Sequence, residues 1–236
     1  MTTAAAGVAV VDLASTTLRA LNQRLHDLAG GDPEPRRWQI LNPNGAHAVA
    51  CGLDAPFEVE IAGHVGYYCA GMNKRATVHV CGNAGTGLAE NMMSGTVVVD
   101  GNASQAAGAT GRGGLLVIHG DAAARCGISM KGLDIVVRGS IGHMSAFMAQ
   151  RGCLVVCGDA GEALGDSIYE THVYVRGKVG SLGADCVEKE LRDHHVAELA
   201  GLLERAGFDD LDPSQFRRYG SARALYTFKV DNVGSY

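Results

Sequence analysis

The chain lacks the features that mark exported, membrane-spanning and nucleic-acid-binding proteins. Its seven cysteines are odd in number and include no CxxC pair, a pattern typical of reduced thiols inside the cell. The apolar start at residues 4–11 has no basic region before it and is followed by Asp12, so we predict no signal peptide. No stretch approaches the ~20 apolar residues of a membrane span. Because a net charge of −5 disfavours a nucleic acid or an anionic membrane as partner, we expect a cytoplasmic protein.

Familiar catalytic motifs are also missing. The sequence has no Lys-Ser or Lys-Thr pair that would complete a phosphate-binding P-loop, and its glycines do not lie in a strand–helix–strand unit that could bind a dinucleotide. It contains no G-x-S-x-G nucleophile elbow either. These absences disfavour nucleotide binding and serine-hydrolase chemistry on this chain.

What the chain has in abundance is glycine on a fixed register. Of its 33 glycines, seven close short apolar phrases that recur every 19 residues. These repeat glycines are Gly63, Gly82, Gly101, Gly120, Gly139, Gly158 and Gly177. Self-similarity at a period of about 20 residues is typical of a solenoid, in which each unit buries its apolar face against its neighbours.

The residues before each repeat glycine have the pattern of a short β-strand. The position four residues before it is always apolar: Val59, Val78, Val97, Leu116, Ile135, Leu154 and Val173. So is the position two residues before it: Ile61, Val80, Val99, Ile118, Val137, Val156 and Val175. Residues two apart share a face of a strand, so both columns are predicted to point inward. The sequence therefore predicts an all-β fold, a parallel β-helix forming a single-stranded solenoid of about seven 19-residue coils.

The segments on either side of the repeats are predicted to be helical caps. Residues 12–29 carry Leu18, Leu21, Leu25 and Leu28 at helical spacing, and a lead-in at residues 36–57 includes an incomplete first coil. A second apolar stripe ends at Gly207 and consists of Val187, Leu191, Val196, Leu199, Leu202 and Leu203. Six aromatic residues follow, and we expect them to dock on another surface: Phe208, Phe216, Tyr219, Tyr226, Phe228 and Tyr236. We thus divide the chain into a cap at 1–57, the β-helix at 58–184, and a helical cap with docking tail at 185–236.

One outward column breaks the alternation of buried and exposed positions. Three residues before the repeat glycine, four consecutive coils carry valine: Val98, Val117, Val136 and Val155. Stacked about 4.8 Å apart, these side chains would form an apolar stripe that something must cover. The sequence leaves two alternatives for what covers the stripe: the predicted helix at residues 187–203, or a partner subunit.

No metal site follows from the repeat. The histidines do not fall in one column, and Cys153 and Cys157 lie about 13 Å apart along one strand at ~3.3 Å per residue. Lys74, Arg112 and Lys131 share a column beside Arg75 and Arg151, giving a basic ridge that is either a solvated face or a docking surface for an acidic partner. We predict no catalytic, cofactor-binding or metal-ligating residue on this chain.

The stacked glycine phrases resemble a known family. They are similar to the GXGXG domain, a right-handed β-helix at the C-terminal end of the glutamate synthase large subunit, and to the C subunit of formylmethanofuran dehydrogenase and its formyltransferase/hydrolase relatives. Three further phrases narrow the resemblance to the stand-alone subunit of N-methylglutamate synthase (methylamine–glutamate N-methyltransferase). These are Leu-Asn-Pro-Asn-Gly at 41–45, Gly-His-Met-Ser-Ala-Phe-Met at 142–148, and the ending from 218 to 232.

This resemblance implies a division of labour among subunits. An amidotransferase-like subunit with an N-terminal cysteine nucleophile would release the amine, and an FMN-binding subunit with an iron–sulfur cluster would use it. The present chain begins Met1-Thr2-Thr3, and its cysteines lack cluster spacing. The resemblance thus implies a right-handed, non-catalytic scaffold within a higher-order hetero-oligomer, with FMN and the iron–sulfur cluster on a partner.

Two alternatives remain beside that scaffold. The same β-helix could serve a glutamate synthase that transfers ammonia, or a formyl-transferring complex of the formylmethanofuran dehydrogenase type. The other alternative is a self-sufficient enzyme such as a hexapeptide-repeat acyltransferase, whose 18-residue coils and sixfold sub-period this 19-residue register does not match.

Overall fold

A computed structural model describes residues 7–29 and 36–223 of the chain. The early elements are β1 (Val8–Asp12), α1 (Leu18–Asp27), β2 (Arg37–Leu41), β3 (Glu58–Ala62), β4 (Thr77–Val80), β5 (Thr96–Val99) and β6 (Leu115–Ile118). They are followed by β7 (Lys131–Val137), β8 (Arg151–Val156), β9 (His172–Val175), β10 (Cys186–Lys189), α2 (Asp193–Ala206) and β11 (Arg217–Ser221). A short 3-10 turn at Pro213–Gln215 lies between α2 and β11.

All eleven described strands belong to one sheet, and the fold is the expected right-handed parallel β-helix. Strands β1 to β9 are stacked in chain order and pair in parallel. The 19-residue register is confirmed, since Val59 pairs with Val78, Val78 with Val97, and so on to Val173. A second ladder of single-residue bridges runs along the next turn, from Val65 through Ala84 to Val179.

The two inward columns form the core, as the alternation predicts. Val78, Val97 and Val137 are fully buried, and the least buried member of both columns, Val59, exposes only 2% of its surface. At ~25 cal/mol per Å² of apolar surface, this continuous core is the main stabilising contribution of the solenoid. Trp38 and Phe57 extend the core below the first repeat with an edge-to-face ring contact.

The repeat glycines are required for space. The residue after each of the first six repeat glycines has a side chain that accepts a hydrogen bond from the backbone N–H of its counterpart in the next coil, at 2.7–3.0 Å. The accepting residues of this polar ladder are His64, Asn83, Asn102, Asp121, Ser140 and Asp159. A Cβ at Gly158 would lie 2.6 Å from the Ser140 Oγ, and one at Gly139 would collide with the Asp121 carboxylate. Each repeat glycine therefore leaves room for the polar side chain of the coil before it. The sequence contains both residues of this pair, but we did not predict the hydrogen bond between coils.

The column of tiny residues seven past the repeat glycine serves a different purpose. Ala70, Ala89 and Ala146 have φ of 53–56°, and Gly108, Gly127 and Gly165 have φ of 66–68°. This left-handed backbone disfavours bulky side chains, and a Cβ at Gly108 would also lie 2.6 Å from the Ile135 Cδ1. These six positions therefore form a tight corner in the backbone of each coil.

The ends of the stack differ from the predicted helical caps. Helix α1 begins only at Leu18, and the preceding residues Val8–Asp12 form β1, so two strands stack below the first repeat. The predicted helix starting near Val187 is also wrong at its start, because Cys186–Lys189 is β10. Strand β11 pairs antiparallel with both β9 and β10, and so gives the last parallel strand the hydrogen-bonding partner that a sheet edge lacks. The division at residues 57 and 184 stays a prediction.

Helix α2 covers the apolar stripe. Val117, Val136 and Val155 are buried against Leu199, Leu202 and Leu203 of the helix, while Val98 at the margin is half-buried. Of the two covers left open by the sequence, the chain's own helix is the one observed. Phe208 and Phe216 complete this second core and Tyr219 joins the first, whereas Tyr226, Phe228 and Tyr236 lie outside the described residues. Among the described residues, neither helix is long and apolar enough to cross a membrane.

Candidate functional site

A cleft of about 660 Å³ opens where α2 lies beside the starts of β7, β8 and β9. Its lining includes three basic residues, Arg112, Lys131 and Arg151, and three potential metal ligands, Cys153, His172 and Glu198. The acidic residues Asp134 and Glu170 also face it. The basic and acidic groups thus share one concave surface.

The sheet register and α2 together assemble the three potential ligands. Cys153 and His172 are direct cross-strand partners on β8 and β9, and α2 brings Glu198 to them. The His172 Nδ1 lies 2.7 Å from the Glu198 Oε2, and the Tyr174 hydroxyl donates to the same oxygen at 2.5 Å. One donor atom from each of Cys153, His172 and Glu198 lies within 4.8 Å of the other two.

The electrostatics of this cluster keep Cys153 protonated and Glu198 ionised. Burial, reinforced by the charges of Glu198 and Asp134, raises the pKa of the Cys153 thiol. Burial also opposes ionisation of Glu198, but the hydrogen bonds from Tyr174 and His172 outweigh it and lower the pKa of that carboxyl. Burial lowers the pKa of the neighbouring His195 to about 4, and the Arg218 charge adds to the effect. Since a thiol needs a depressed pKa to act as a nucleophile near neutral pH, Cys153 is not an activated one.

The predicted basic ridge is split in two. Arg112, Lys131 and Arg151 meet in the cleft. Lys74 and Arg75 instead pair with Asp54, at 2.7 and 3.4 Å, on the earlier coils. Lys74 and Arg75 therefore do not line the cleft, and the Asp54 carboxylate offsets their charge.

A second cluster of potential ligands lies on the outer face of the first coils. Glu60 and His79 are cross-strand partners, and Cys81 directly follows the end of β4, two residues past His79. The His79 Nε2 lies 2.7 Å from the Asp100 Oδ1. Glu60, Cys81 and Asp100 are all exposed, so this cluster is open to solvent.

Sequence reasoning missed both clusters because it sought histidines repeated in one column and did not consider a histidine stacked on a different ligand type. Glu60 with His79, and Cys153 with His172, are each 19 residues apart and so are stacked by the repeat itself. Adjacent-coil pairs were thus a signal available in the sequence. Glu198 was not, since it lies on a helix whose position over the sheet no repeat specifies.

Comparison with known proteins gives one informative relative. The chain is 62% identical over 227 residues to Protein GlxC of Rhizobium meliloti (strain 1021), and the alignment covers 96% of this chain and 99% of the relative. No family model matches the chain, and no solved structure does. The similarity to the relative therefore includes the flanking segments as well as the repeats.

Proposed function

The chain belongs to the family of Protein GlxC, and we propose that it is the non-catalytic scaffold subunit of a cytoplasmic, glutamate synthase-like complex. The finer proposal is N-methylglutamate synthase, which makes N-methylglutamate from methylamine and glutamate. In this assignment the partners are an amidotransferase-like subunit and an FMN-binding subunit with an iron–sulfur cluster. Its support is the similarity of the repeat and flanking phrases to that enzyme's stand-alone subunit.

The observation that carries the proposal is the unbroken stack of hydrogen-bonded strands. Strands β1 to β11 form one sheet, and ten steps of about 4.8 Å give a body about 48 Å tall. Its inner core and its α2-covered outer core are both closely packed. Such a body is suited to hold two attached subunits at a fixed separation.

Exposed apolar side chains on the turns supply surfaces for such attachment. On the first repeat, Tyr67, Tyr68 and Met72 expose 52, 49 and 56% of their surfaces. Further along the stack, Met148 and Tyr169 expose 42 and 41%. Aromatic residues and methionine are enriched where protein subunits meet, which supports a role in assembly.

Native mass spectrometry of the complex from co-expressed subunits tests the proposal. We expect this chain to be present in every complex that contains both catalytic subunits, and removal of its gene to separate them. Purified alone, the chain should bind no flavin and transfer no amine. A defined flavin stoichiometry on the isolated chain, or amine transfer by it, would overturn the scaffold assignment.

Substrate competition then distinguishes the finer assignment from its alternatives. The assembled complex is supplied with glutamate and either methylamine or ammonia, and the products are identified by mass. N-methylglutamate formation supports the N-methylglutamate synthase assignment. A parallel assay supplies 2-oxoglutarate, ammonia and an electron donor in place of glutamate, and glutamate formation there would instead indicate an ordinary glutamate synthase. Co-purification of metallohydrolase-like partners would indicate a formyl-transferring complex.

A further inference from the structure

We propose that Cys153, His172 and Glu198 form a binding site for a divalent metal ion of the zinc class, with a further coordination position open to the cleft. The site is independent of the scaffold function, since it requires only this chain. It is built from three different elements, β8, β9 and α2. A bound ion would therefore join the C-terminal helix to the sheet.

The distances suit one ion after small adjustments. Zinc binds sulfur at about 2.3 Å, and imidazole nitrogen or carboxylate oxygen at about 2.0–2.2 Å, so two ligands of one ion lie less than about 4.5 Å apart. The three donor atoms already lie within 4.8 Å of one another. The two limits differ by only about 0.3 Å, and a bound ion would replace the hydrogen bond between His172 and Glu198.

The donor set also matches the charge and chemical preference of zinc. The Cys153 thiol is protonated in the metal-free protein, so binding of the ion would displace its proton. One thiolate and one carboxylate then neutralise a dication, and a neutral imidazole completes three protein ligands. Three protein ligands with an open position are typical of zinc sites that also hold water or a small ligand. The side chains of His172 and Glu198 expose 31 and 37% of their surfaces, and both line the cleft, so the open position is accessible.

Neighbouring groups hold these ligands in place. The Tyr174 hydroxyl donates to Glu198, and the His172 ring packs edge-to-face on His195 at 5.3 Å between ring centroids. Hydrogen bonds of this kind to ligating side chains strengthen metal sites, commonly by about 10–100-fold. The cluster of Glu60, His79 and Cys81 stands instead on an open strand face, and it serves as the internal comparison.

Cobalt(II) is the probe, because its bond to a thiolate gives a charge-transfer absorption that other ligands do not. Reduced, chelator-treated protein is titrated with cobalt and then with zinc as competitor. We expect one cobalt per chain, with a thiolate absorption that zinc removes. Absence of this absorption from the folded protein would overturn the proposal.

Five single-residue variants locate the ion. Cys153→Ala should abolish the thiolate absorption, while Cys157→Ala, just past the end of the same strand, and Cys81→Ala, in the comparison cluster, should retain it. His172→Gln and Glu198→Gln should each weaken cobalt binding at least about tenfold. Thermal unfolding first establishes that each variant is folded, and if Cys153→Ala is not, the half-exposed His172→Gln decides. Undiminished binding in folded Cys153→Ala or His172→Gln, or loss confined to Cys81→Ala, would refute this site.

Discussion

The outer face of the sheet differs between its first and last coils. In the same column, the early coils carry the exposed Glu60 and the half-exposed His79, whereas the later coils carry the buried Val136 and Val155. The inward columns show no such change, because every coil must fill the core. The outward column is apolar only where α2 lies over it. A local departure from alternation within a repeat thus marks the part of a solenoid that another element covers.

The largest loss of stability is expected in the inward columns, where the first and last coils do not differ. Val99→Asp places a carboxylate without a partner at a fully buried site and should cost about 5 kcal/mol, enough to unfold the neighbouring coils. Val98→Asp, one residue along at the half-buried margin of the stripe, should cost about 1 kcal/mol. Chemical denaturation measures both. Equal losses would show that the inward and outward assignment is wrong.

A smaller effect should separate the two halves of the outer face. Changing Val117 and Val136 together to lysine removes the surface against which α2 packs and should destabilise the isolated protein by about 2–4 kcal/mol. Changing Glu60 and His79 to lysine in the same column should cost less than about 0.5 kcal/mol. Thermal unfolding followed by circular dichroism is the measurement, and the helical signal should be lost first in the valine variant. An unchanged melting temperature there would contradict intrachain cover.

The smallest effect concerns the polar ladder, which runs through both halves. Gly139→Ala would push a Cβ into the Asp121 carboxylate that accepts from the Ser140 N–H, and should cost about 1–3 kcal/mol. Gly201→Ala on α2 is the control, because no atom lies within 4 Å of its added Cβ, and alanine there should stabilise the helix by up to about 1 kcal/mol. If both changes had the same sign in denaturant titrations, the spatial explanation of the repeat glycine would fail.

The sequence predicted what the repeat determines and little beyond it. The register and the two buried columns follow from a period that local sequence displays directly, and the structure confirms both. The strands at the two ends could not be predicted in this way, because Val8–Asp12 and Cys186–Lys189 lie outside the 19-residue period. Their pairing depends instead on the unpaired backbone groups at each edge of the sheet. The position of Glu198 could not be predicted from the sequence either, since its place in the cleft depends on how α2 packs across the valine stripe.

The fixed register also determines how this protein can change in size. Each coil presents to its neighbour the same backbone pairing and the same ladder position, so a whole 19-residue coil can be inserted or deleted while every remaining junction is preserved. A gain or loss of another length would displace the inward columns and the ladder unless a turn absorbed it, as happens between β2 and β3, where Trp38 pairs with Val59 21 residues away. The distance between the two ends changes in either case by whole strand layers of about 4.8 Å, and subunits attached at those ends would be spaced by a whole number of coils.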